Sequence, residues 1–190
     1  AVGVLAFGAG SVLNATNLTV VNTLPQAADN ALGDGVRVQN GASMLLSGVY
    51  ANGNRNFGVL CTGAGTQLTL KQGLVVATSA QTSNSLNGDG MRLEGGCQAK
   101  LGDVRLDGNR SVGLVVAGAN TVANGGSLVV SNMQLQGADQ KKGFGVQVVE
   151  GAKLAAALLH VHAARTAALW VSDAKSEVQL GALKALHTLP

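Results

Sequence analysis

Few residues in this chain have the type and spacing that chemistry requires. His160 and His162 stand two apart, so on a strand both rings project from one face and could reach one metal ion. A tetrahedral zinc site needs three or four ligands, and beyond Asp107 no third is evident, so exposed histidines without metal or cofactor are expected. Among the acids, Asp34 and Asp89 are the candidates for a catalytic pair, because they occupy equivalent places in a repeat. Glycoside hydrolysis needs two carboxyls about 5–9 Å apart. Here Arg37 and Arg92 each follow an acid by three positions, and local ion pairing accounts for both acids. Cys61 and Cys97 could be bridged only across a corner of the chain, since a disulfide needs Cα atoms within about 7 Å. Two buried free thiols are therefore expected. The sequons at Asn14, Asn17 and Asn109 would accept N-glycans where that machinery exists. Their placement favours Asn14 and Asn17, with Asn109 turned inward.

Positioning falls to a repeat. Glycines open successive segments at 3, 35, 58, 90, 113 and 145, with Ala168 in the seventh place. The intervals run 32, 23, 32, 23, 32, 23, so a long and a short turn together make a 55-residue super-repeat that begins at 3, 58, 113 and 168. One and three places after each opening stand small or medium apolar residues, such as Val36/Val38, Met91/Leu93 and Val146/Val148. Alternation of this kind puts both on one face of a strand. Two further alternating pairs follow, for example Leu68/Leu70 and then Val104/Leu106, so the pattern predicts three short strands per turn. The residue 19 places after each opening reads Asn22, Asn54, Ala77, Asn109, Asn132, Ala164 and His187, which predicts a partial asparagine ladder. The segment 153–170 has helical propensity but keeps the register of the shorter turn, and is read as strand.

Composition agrees. The chain has 190 residues, 46% of them hydrophobic, only 3% aromatic, with 27 glycines, which suits narrow strands with tight corners. A net charge of +3 from scattered residues argues against nucleic-acid binding, and no apolar run is long enough to span a bilayer.

Openings such as GVRVQNGAS and GVLCTGAGTQLTL, closed by GNRNFG or GNRSVG, resemble the repeats of right-handed parallel β-helix proteins with the pectate-lyase-type fold. Such repeats occur in secreted and cell-surface bacterial proteins, autotransporter passengers among them, and in some algal proteins. The resemblance covers nearly the whole chain and singles out no one protein. It implies an all-β, right-handed parallel β-helix of about seven coils. Residues 1–190 would form one solenoid domain, a piece of a longer array, extracellular or at a cell surface.

The longer turns carry about nine added residues before the next opening, within 24–34, 79–89 and 134–144, predicting a column of three loops. Those loops either bind a partner or cover the sheet beside them. The outward column Leu5, Arg37, Leu60, Arg92, Val115, Gln147 and Trp170 alternates apolar and polar residues, and Arg55, Arg110 and Arg165 recur once per super-repeat. A partner-binding face would therefore use Arg37, Arg55, Arg92, Arg110, Arg165 and Trp170. The expected function is a non-catalytic structural or adhesive module. Its partners would be flanking coils, a neighbour stacked end to end, or glycans. The alternative is a carbohydrate-active enzyme or glycan-binding module.

Overall fold

The computed structural model describes residues 1–24, 33–76, 88–135 and 143–187. These form only strands and their connections. In chain order the strands are β1 (Val2–Phe7), β2 (Val12–Val21), β3 (Asp34–Gln39), β4 (Ser43–Asn52), β5 (Phe57–Thr62), β6 (Gln67–Val76) and β7 (Asp89–Glu94). They continue as β8 (Gln98–Asp107), β9 (Val112–Ala117), β10 (Val122–Ser131), β11 (Phe144–Val149), β12 (Lys153–His162), β13 (Leu169–Val171) and β14 (Glu177–Leu186). Odd-numbered strands build one seven-stranded sheet and even-numbered strands another, each in sequence order and parallel throughout. The segment with helical propensity is strand, over β12 and β13.

The predicted inward pairs line the space between the sheets. Val36, Val38, Val59, Cys61, Met91, Leu93, Leu114, Val116, Val146 and Val148 are fully buried. The structure corrects the expectation of three strands per repeat. The second and third alternating pairs belong to one ten-residue strand, hydrogen-bonded along its length to its neighbours and bent in the middle. At the bend two consecutive residues face outward, so the inward positions fall three apart: Leu46/Val49, Leu70/Gly73, Leu101/Val104, Gly125/Leu128 and Ala156/Leu159. Where one member is glycine, the leucine partner occupies its space. A Cβ on Gly73 would meet Leu70 Cδ2 at 2.9 Å, and one on Gly125 would meet Leu128 Cδ1 at 3.1 Å. The core is filled by complementary sizes, as close packing requires.

The opening glycines have a steric cause. A Cβ on Gly3, Gly35, Gly90, Gly113 or Gly145 would stand 2.5–2.8 Å from the carbonyl oxygen of the next opening residue in the column. Real Cβ atoms do not tolerate that approach to backbone. Gly145 would meet the carbonyl of Ala168, whose own strand lies at the sheet edge.

The extra residues of the longer repeats divide between two corners. Corners 8–11, 63–66, 118–121 and 173–176 have four residues, against three at 40–42, 95–97 and 150–152. One added residue therefore sits here, and eight rather than nine lie before the next opening. The difference splits the expected asparagine ladder. Asn22, Gly53, Gly108, Asn132, Ala163 and His187 share a left-handed position, with φ between 50° and 68°. Asn54 and Asn109 sit one place further on, buried, and Asn54 Oδ1 accepts the Thr23 backbone N–H at 3.1 Å. Ala77 lies outside the described residues.

Candidate binding faces

The outer face of the first sheet carries the column Leu5, Arg37, Leu60, Arg92, Val115, Gln147 and Trp170 in direct register. Its middle is covered: Leu60 is 1% and Val115 2% exposed, and Val112 and Ala117 are buried with Val115 in a small second cluster beside Phe144 and Val149. Only the ends of the column show apolar surface, at Leu5 and at Trp170, whose ring packs on Phe144 with centroids 5.6 Å apart.

Arg37 and Arg92 are engaged on this face. Arg37 Nη1 lies 3.3 Å from Asp34 Oδ2. Arg92 reaches Asp89 Oδ2 at 3.2 Å and Glu94 Oε2 at 2.6 Å, with its guanidinium carbon 5.8 Å from the centre of the Phe57 ring. Asp34 is completely buried and accepts hydrogen bonds from the Asn56 side-chain amide, at 2.7 Å, and from the Phe57 backbone N–H. Burial pushes its carboxyl above the usual value, against the opposing pull of Arg37 and these donors. The folded chain therefore holds this proton more tightly than the unfolded one. The contribution of Asp34 to stability is fully present below about pH 3.8 and declines as pH rises through the raised folded value. Melting the parent and Asp34→Asn in parallel over about pH 3 to 7 should show the parent losing ground to the variant across that window. A constant difference would refute this reading of Asp34.

Arg55, Arg110 and Arg165 stand at the opposite end of the short repeats' bent strands, where the chain crosses back to the first sheet. Their backbone N–H groups bond to the carbonyls of Gly33, Gly88 and Gly143 at 2.9, 3.1 and 2.9 Å. Each of those glycines is where an added segment returns to the first sheet. The Asn-Arg signature in GNRN and GNRS thus marks an anchoring corner. The added segments themselves lie largely outside the described residues, and the expected loop column with them.

The two cysteines form a disulfide, Cys61 to Cys97, with Cα atoms 5.9 Å apart and both residues fully buried. This corrects the expectation of free thiols. Cys97 ends a three-residue corner on the pair following Cys61, and the corner turns its side chain into the core beside the strand that carries Cys61. The sequence separation of 36 conceals this contact in the linear chain.

Among the described residues the histidine pair gathers no third ligand. His162 packs edge-on against His187, with ring centroids 5.4 Å apart, and Ser131 stands between it and Asp107. Asp107 accepts hydrogen bonds from Ser131 Oγ at 2.7 Å and Asn132 Nδ2 at 2.8 Å. Among the described residues no three His, Cys, Asp or Glu side chains converge as metal ligands would.

Sequence reasoning missed a groove on the outer side of the second sheet. It follows the bend across β2, β4, β6, β8 and β10 and encloses about 540 Å³. Tyr50, Gln72, Asp103 and Arg105 line it, with Gly48 and Gly73 thinning its floor. The sequence signal was the pair of consecutive outward residues at each bend, which alternation alone does not distinguish from a break between strands. Asn17 borders the same groove in a left-handed conformation, at φ 54°, while Asn14 is exposed on β2 and Asn109 is buried. Among the described residues no helix is long and apolar enough to cross a membrane.

No family model, no curated protein and no solved structure matches this chain.

Proposed function

We propose that the chain is a right-handed parallel β-helix of about seven coils, of the pectate-lyase-like kind, serving as a non-catalytic structural or adhesive module. The observation that carries this reading is the state of the two acids that catalysis would use. Asp34 and Asp89 are no more than 2% exposed and each is paired with an arginine three positions on, so neither presents a carboxylate to a substrate. Two parallel sheets around one unbroken core make a stiff element about 30 Å long at about 4.8 Å per strand, suited to setting a distance or displaying a surface. An extracellular or cell-surface setting accords with the disulfide and with exposed sequon asparagines at Asn14 and Asn17. Incubation with pectin, alginate and chitin oligosaccharides tests the reading. No turnover is expected, and turnover abolished by Asp34→Asn or Asp89→Asn would overturn it.

The groove favours a second reading, glycan binding without cleavage. A tyrosine ring offers a sugar a stacking face, while a side-chain amide, a carboxylate and a guanidinium offer hydrogen bonds to hydroxyls. If the groove binds, Tyr50→Ala should weaken retention on a glycan array about tenfold or more, the scale of one lost aromatic contact with its packing. Undiminished retention would exclude the groove as the site.

A further inference from the structure

The two ends of the strand stack are not equivalent, and the difference lies in residue types. At the end formed by β13 and β14, Ala168 replaces the opening glycine. In five places below it, a Cβ at this position would stand 2.5–2.8 Å from the carbonyl of the residue stacked on it. Ala168 is tolerated where no described strand stacks on it. Among the longer turns the change is matched inside: Gly3 and Gly113 abut Val20 and Val130, whereas the corresponding position at this end is Ala185, a residue type that Ala51 brings to the same register in the first short turn. The corner departs too. Asp173 and Lys175 hold φ values of 72° and 69°, where the other four-residue corners have Gly8, Gly63 and Gly118, then Gly10, Gly65 and Asn120. Strand β13 is cut to three residues from six. Short strands and charge are how sheet edges refuse a partner.

The end formed by β1 and β2 keeps the repeat intact. Gly3, Gly8 and Gly10 are in place, and β1 has its full six residues. The informative atom is Ser11 Oγ. In its counterparts, Thr66, Thr121 and Ser176, the hydroxyl oxygen accepts the N–H of the central glycine of the preceding three-residue corner, Gly41, Gly96 and Gly151, each at 2.9 Å. Ser11 Oγ makes the accompanying bond to the Phe7 carbonyl at 2.7 Å, but among the described residues nothing donates to it. Around it Leu5, Phe7, Val12 and Val21 are exposed, Val12 by 68%.

We propose that this end is a docking surface for one partner: a parallel strand pair of another polypeptide segment, of the same build, with a three-residue corner whose central glycine N–H donates to Ser11 Oγ. At the opposite end such stacking is opposed on the first sheet, at Ala168 and along the shortened β13, while β14 keeps its ten residues with Leu183 and Leu186 exposed. A second copy stacked head to tail does not fit, because its Ala168 Cβ would meet the Gly3 carbonyl and two four-residue corners would coincide. The proposal rests on the solenoid reading and gives that solenoid a polarity.

The test uses the whole chain with its own short repeat added in register. Residues 143–165 joined ahead of Ala1 supply a strand pair at the receptive end, and residues 136–165 joined after Pro190 supply one at the other. The first graft should raise the melting midpoint by about 5 °C or more and reduce binding of an apolar dye. The second should do neither until Ala168→Gly and Ala185→Val are introduced. Equal gains at both ends, or none from the first graft, would overturn the proposal. So would sedimentation of the unmodified chain as head-to-tail filaments, or as a dimer that the first graft abolishes. Hydrogen exchange on the parent chain separates this from failure of the solenoid itself. Unprotected amides along β3–β12 would sink both, whereas protected amides with no gain from the first graft would sink the docking surface alone.

Discussion

Gly113→Ala should be among the most damaging single substitutions in the chain, costing about 3 kcal/mol. The added methyl would lie 2.6 Å from the Gly145 carbonyl oxygen and closer still to Val130 Cγ1, at a place where both sheets meet the corner. Relief requires either lifting β11 from β9, which breaks the ladder on that side, or moving Val130 within a filled core. Neither is a local adjustment. Urea titration followed by circular dichroism measures the loss, and Ala168→Gly is the control. That substitution, in the same column but under no stacked strand, should cost no more than about 1 kcal/mol, the entropy of an added glycine. If the two substitutions cost the same, stacking distance is not what selects glycine at the openings. Gly102 offers an independent check, since its Cβ would fall against the Lys71 carbonyl oxygen.

The second large effect is expected at the disulfide. Closing a loop with a sequence separation of 36 stabilises a fold by about 3–4 kcal/mol in the chain-entropy description. The double variant Cys61→Val, Cys97→Ala is the informative one, because the rest of the core already shows what fits. Val38 holds the first position on the adjacent strand β3 and Val116 holds it on β9, two strands away, and Ala42 and Ala152 hold the second in the other three-residue corners. Packing is thereby kept while the cross-link is lost, so the midpoint should fall by about 10 °C. Chemical reduction of the parent should reproduce most of that shift. A double variant that melts with the parent would show the bridge to be energetically idle.

The fold was legible in the sequence to the extent that sterics repeat. Opening glycines and the inward pairs after them recur because successive strands meet the same neighbours, so one constraint is written at six openings and relaxed at the seventh, Ala168, at the sheet edge. What escaped was set by single residues. A two-residue bend inside a hydrogen-bonded strand looks, in the pattern of alternation, like a gap between two strands, hence three predicted strands where the chain makes two. One residue added at corners 8–11 and 63–66 shifted everything after it, so Asn22 and Asn54, equal by counting, are unequal in space. Cys97 was correctly placed at a corner, but the direction in which that corner turns its side chain is tertiary information. The candidate face was legible in part. The ion pairs Asp34–Arg37 and Asp89–Arg92 follow from spacing alone, whereas their burial, on which the proposed non-catalytic reading rests, does not.

The alternation of four- and three-residue corners has a genetic consequence. Deleting or duplicating a single turn would bring two like corners together, leaving a Ser or Thr hydroxyl without its glycine donor where two long turns meet and a glycine N–H without its hydroxyl acceptor where two short ones do. Deleting or duplicating a whole super-repeat, one long turn with one short, restores both the corner alternation and the opening column. Proteins built this way should therefore differ in length by whole two-layer steps of about 10 Å, as a ruler marked in one unit. Insertions of any other size should be found only at the corner where the longer turn's added segment already leaves the sheet.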